Sequence, residues 1–146
     1  MKNLQNFTGK GTYQLILYLD EEKIIQVGSL GRFKFLTGYY NYIGSAHGNG
    51  GLKARLSHHI KTTSKPHWHI DYLRTFAEVK EIWSISSEKF FEHQWAEYML
   101  RMPGALFFIN GFGSSDCDCI SHLFYFKEYP SFESFQNLID ELPEDF

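Results

Sequence analysis

The feature that most constrains the fold is a change of period near residue 44. Up to Ile43 the chain is written in short β-branched and aromatic runs, punctuated by Gly28, Gly31 and Gly38. Residues 13–19, 24–27, 32–35 and 39–43 read as strands, and the polar turn 20–23 predicts that the first two form a hairpin. The glycine-rich stretch 44–51 then reads as a loop opening a helix over 52–61, because Leu52, Leu56 and Ile60 recur at helical spacing. Arg55 and His59, one turn apart, share a neighbouring stripe and can meet one ligand together.

Beyond Pro66, residues 67–73 predict a short helix or extended turn, and 79–85 a strand. Ser86-Ser87 with Glu88 reads as the start of a helix running to Met102, where Pro103-Gly104 stops it. Its expected apolar stripe is Phe91, Trp95, Tyr98 and Met102. Late strands at 106–109 and 122–126 flank a second glycine-rich segment, 110–115, and 131–142 reads as a final amphipathic helix. The pattern predicts an α+β (α/β) domain with a small mixed or antiparallel sheet flanked by helices. It spans 1–146, with a polar stub at 1–9 and an acidic helical tail at 127–146.

Hydrophobic residues make up 43% of the chain and charged ones 21%, which excludes a disordered chain or a coiled coil. The longest apolar runs, 15–19 and 105–109, fall far short of the roughly 20 residues of a membrane helix. No apolar leader opens the chain, and the two cysteines are too close for an ordinary scaffold disulfide, so a cytoplasmic location is expected. The net charge of -3 argues at first against a nucleic-acid partner. Six acids and one lysine in 127–146 account for that deficit, leaving the rest of the chain slightly basic. Lys53, Arg55, Lys61, Lys65 and Arg74, with Asp71 as the single acid, make 51–75 a candidate anion-binding face. On this reading, trimming after Phe126 strengthens nucleic-acid binding at low salt unless the final helix is needed for folding.

The most specific constellation is Gly11-Thr12-Tyr13 opening one strand, Tyr42-Ile43-Gly44 closing another, and Arg55 and His59 in the following helix. On these motifs, with GLKARLSHH, HWHIDYL and GFGSSDCDCISHLFYF, the chain resembles the GIY-YIG endonuclease superfamily. It looks like a branch catalogued as domain of unknown function 123, sometimes fused to endonuclease III-like proteins. Thr12 replaces the isoleucine of the superfamily's first motif, and 29 residues separate Tyr13 from Tyr42, a longer step than usual. The resemblance implies a metal-dependent endonuclease acting on nucleic acid, with DNA repair or processing as the setting. It places Tyr13 or Tyr42 near the attacking water and Arg55 on the scissile phosphate, where a guanidinium fork meets phosphate oxygens in pairs. His59 becomes a second phosphate contact or proton relay. Lys53, Lys61, Lys65, Gly44 and Ser45 join Arg55 as expected nucleic-acid contacts.

The resemblance also implies one glutamate holding Mg²⁺ or Mn²⁺, which neutralises charge at the phosphate and the leaving oxygen. Glu92 stands at the matching place in the helix, and Glu97 is the alternative, although its spacing to His93 and Arg101 is that of an exposed helix pair. A separate block, Cys117-x-Cys119-x-x-His122, offers three ligands for a structural Zn²⁺, with His67, His69 or Asp71 as a fourth. Alternatively the cysteines are small buried strand residues. Two other functions compete with the nuclease: a catalytically inactive nucleic-acid-binding module on the same scaffold, and a protein-binding domain carrying the zinc block.

Overall fold

The computed structural model describes residues 7–61, 65–107, 109–113 and 119–141. Four strands and a short fifth form one sheet: β1 (Gly11–Leu19), β4 (Gly38–Ala46), β5 (Glu78–Ser86), β6 (Leu106–Phe107) and β7 (Leu123–Phe126). Their order is β5-β1-β4-β7-β6, and every pairing is antiparallel. The architecture is the expected α+β one.

Two apolar layers sandwich this sheet. From β1, Tyr13, Leu15, Leu17 and Leu19 point to one side, where α1 (Gly51–Ile60) and α2 (His69–Arg74) bury Leu52, Leu56, Ile70 and Leu73. On the other side Ile16, Ile43 and Trp83 meet α3 (Glu92–Met99) and α4 (Phe132–Glu141) through Trp95, Met99 and Phe135. Period-2 alternation on a strand buried on both faces explains why β1 is apolar almost throughout.

The expected opening hairpin does not form. β2 (Lys23–Val27) pairs with β3 (Gly31–Phe35) as a separate ribbon, while both edges of β1 are taken by β4 and β5. Ile25, Val27 and Phe35 anchor the ribbon on the α1–α2 side. Other boundaries move as well. Gly44, Ser45 and Ala46 continue β4 instead of opening a loop, because they pair with Tyr13, Thr12 and Gly11. The helix expected from residue 86 starts at Glu92: the Ser87 hydroxyl accepts the Lys89 N–H in a turn, and the Phe91 N–H donates to the Thr12 hydroxyl. It ends three residues before Met102, in a tightened turn. The late strand expected over 106–109 extends only from Leu106 to Phe107. Of the polar stub, residues 1–6 lie outside the described residues. Phe7 is buried in the core, and the Gly9 carbonyl accepts the Leu52 N–H at the start of α1.

Candidate active site

The site is assembled at the end of the sheet where β1 begins and β4 ends. Register puts Tyr13 opposite Gly44 and Leu15 opposite Tyr42, so the two tyrosines are diagonal neighbours on one face. Gly44 is glycine for a local reason. A Cβ there would collide with the Tyr13 ring and hydroxyl, so the last residue of one motif makes room for the tyrosine of the other.

The first helix delivers the next two groups from the side. His59 is buried, and its Nε2 lies 2.6 Å from the Tyr13 hydroxyl. Arg55, one turn earlier, lays its guanidinium over the Trp68 ring, 4.3 Å from the centroid. Trp68 precedes α2, whose Asp71 carboxylate accepts the N–H groups of His67 and Trp68 and pairs with His58 Nε2 at 3.0 Å. A single buried carboxylate therefore fixes the turn that carries the aromatic platform under Arg55.

From the opposite side Glu92, in the first turn of α3, brings its Oε2 to 3.3 Å from His122 Nδ1. Tyr42, Gly44, Ser45, Arg55, Glu92 and His122 line one pocket of about 220 Å³, closed further by Trp68, His93 and Gly113. A second cavity of about 300 Å³, at the start of α1, shares Arg55 and Trp68 as its wall.

Burial sets the protonation of the inner groups. The Tyr13 phenol is pushed well above its ordinary value by burial and then by Tyr42, and Arg55 only partly opposes them. Tyr42 is raised by burial and by Glu92. His59 is driven down to about 3 by burial, with His58, Arg55 and Arg74 adding to it against the attraction of Asp71. At neutral pH the Tyr13–His59 contact is thus a hydrogen bond between a phenol and a neutral imidazole. Burial pushes the Asp71 carboxyl up, but its backbone N–H donors and His58 outweigh this and hold it below its ordinary value.

Tyr42, Arg55 and Glu92 of the expected catalytic set meet in this pocket, with Tyr13 and His59 directly beneath. The carboxylate of Glu92, a quarter exposed beside a polar void, is the donor type a hydrated hard cation uses. Glu97 is exposed and does not line the pocket. Gly44 and Ser45 line the pocket, whereas Lys53, Lys61 and Lys65 are exposed and line neither cavity. Of the expected zinc block, Cys117 lies outside the described residues, Cys119 packs half-buried against the α3–α4 layer, and His122 faces Glu92. His69 Nδ1 accepts the Gly113 N–H at 2.8 Å, tying the pocket's second glycine-rich wall to α2.

Sequence reasoning missed Trp68, His93 and Gly113 as pocket walls, and His122 as the neighbour of Glu92. The alternation His67-Trp68-His69 signalled something at this turn, but only the fold shows that its middle residue is the one beneath Arg55. Among the described residues no helix is long and apolar enough to cross a membrane. Neither the curated proteins nor the solved structures contain a match to this chain. The family model described as "Domain of unknown function DUF123" matches residues 12–143, and the chain belongs to that family.

Proposed function

We propose that the pocket is a phosphodiester-cleaving centre and that the protein is a GIY-YIG-type, divalent-metal-dependent endonuclease acting on nucleic acid, DNA first. The observation that carries this reading is the meeting of Tyr42, Arg55 and Glu92 in one pocket above the hydrogen-bonded Tyr13–His59 pair. Arg55, held flat by Trp68, presents its free edge to the non-bridging oxygens of a phosphate. Tyr42, kept as a phenol by burial and Glu92, orients the attacking water with its hydroxyl. The Tyr13–His59 pair, neutral and hydrogen-bonded, sets His59 edge-on against the Tyr42 ring and holds that hydroxyl in position, while the proton that the water gives up leaves to solvent. Glu92 would hold Mg²⁺ or Mn²⁺, and such an ion, when bound, supplies charge neutralisation at the phosphate and the leaving oxygen.

The test is cleavage of plain, branched and damaged DNA in Mg²⁺ and in Mn²⁺ by the wild type, Arg55→Ala and Glu92→Gln. We expect wild-type cleavage on at least one substrate, and each substitution to lower it by about 10²-fold or more. Wild-type protein that binds these DNAs and cuts none of them turns the reading into the binding module on the same scaffold.

A further inference from the structure

We propose, resting on the reading above, that His122 is a second protein ligand beside Glu92 and that the site is built to favour Mn²⁺ over Mg²⁺. His122 is held firmly: its N–H donates to the Phe112 carbonyl and its own carbonyl accepts the Ile43 N–H, each at 2.9 Å. On its C-terminal side the Leu123 N–H donates to the Ser121 hydroxyl at 3.0 Å. The side chain is 2% exposed and its Nδ1 faces Glu92 across the pocket wall.

The spacing of the pair fits a shared ion. A charge-assisted N–H···O bond closes to about 2.7–2.9 Å, and Nδ1 and Oε2 stand 3.3 Å apart. Two neighbouring ligand atoms on an octahedral ion with bonds of about 2.1 Å sit about 3 Å apart. Gly113 keeps the space open beside them. A Cβ there would lie 2.9 Å from the Tyr42 ring and 3.3 Å from the His122 Cβ. Mg²⁺ demands oxygen ligands and dehydrates reluctantly, whereas Mn²⁺, itself content with oxygen, stands at the start of the first-row series whose affinity for nitrogen-containing sites rises from there. One carboxylate and one imidazole on a rigid mount therefore penalise Mg²⁺ more than Mn²⁺.

The experiment titrates Mn²⁺ and Mg²⁺ separately into the full chain by calorimetry and records electron-spin-echo modulation from ¹⁴N on the bound Mn²⁺. Wild type should bind Mn²⁺ at least about tenfold more tightly than Mg²⁺, with nitrogen modulation present. His122→Ala should weaken Mn²⁺ binding by about 10–100-fold, change Mg²⁺ binding by less than about threefold, and remove the modulation. His122→Asn, a polar replacement for a variant that fails to fold, should likewise remove the imidazole signal. Unchanged Mn²⁺ affinity and persistent modulation in a folded His122 variant, with Glu92→Gln abolishing both ions, overturns this assignment and leaves the nuclease reading standing. Metal binding that is indifferent to Glu92→Gln overturns both.

Discussion

At the scale of single residues the site depends on what Gly44 lacks. The Tyr13 hydroxyl occupies the volume a side chain would take, and this lets it reach His59 Nε2. Gly44→Ala should force the ring off its packing and lengthen or break that bond, at a cost of about 1–3 kcal/mol typical of overpacked cores. A urea melt measures it; a variant as stable as wild type would mean that the ring shifts without penalty. The motif text named both tyrosines and this glycine from sequence, since residue type and order carry that information. The Glu92–His122 contact had no such signal, because 30 residues separate the two positions in the chain and only the fold brings them together. In sequence alone His122 groups with its neighbours Cys117 and Cys119.

Among the elements, α4 matters most for how the chain's charge is understood. By charge alone its acids make the tail a screen for the basic face, yet Phe135 is 1% exposed, stacked on Trp83 and edge-on to Trp95. The helix therefore completes the layer behind the sheet, and the condition attached to trimming after Phe126 is met: the helix is part of the core. Phe135→Ala should cost about 3–5 kcal/mol, as for other buried aromatics. Thermal unfolding would settle this, and a shift too small to detect would show that α4 is dispensable. Strand and helix positions were legible because their periods are strong over β1, α1, β5 and α4. The pairing of β2 was not legible, since a short polar turn fits a hairpin whether or not a more distant strand claims the edge first.

For the molecule as a whole, buried titratable groups tie stability to pH. In the unfolded chain His59 titrates near 6.5, whereas in the fold burial holds it down to about 3. Between these values the unfolded chain binds a proton that the native one refuses, so stability falls as pH drops from 6.5 toward 3. The slope reaches about 1.4 kcal/mol per pH unit. Asp71, held below its ordinary value, adds to the loss once the pH falls through the carboxylate range. His59→Gln should flatten the upper part of this profile in denaturant melts at pH 7, 6, 5 and 4. Parallel profiles for variant and wild type would contradict the assignment.

The strand order bears on when the site comes into being. β1 lies inside the sheet, paired with β4 and β5, and the central strand β4 is paired in turn with β7, so the stabilising partners are remote in the chain. Closing such loops is entropically slow, and little is gained until both ends of each have been made. A growing polypeptide that has displayed Tyr13, Tyr42 and Arg55 still lacks the wall that Glu92 and His122 supply. Competence of the pocket therefore waits for the docking of β7, and synthesis short of that point yields a chain with both motif tyrosines and no site.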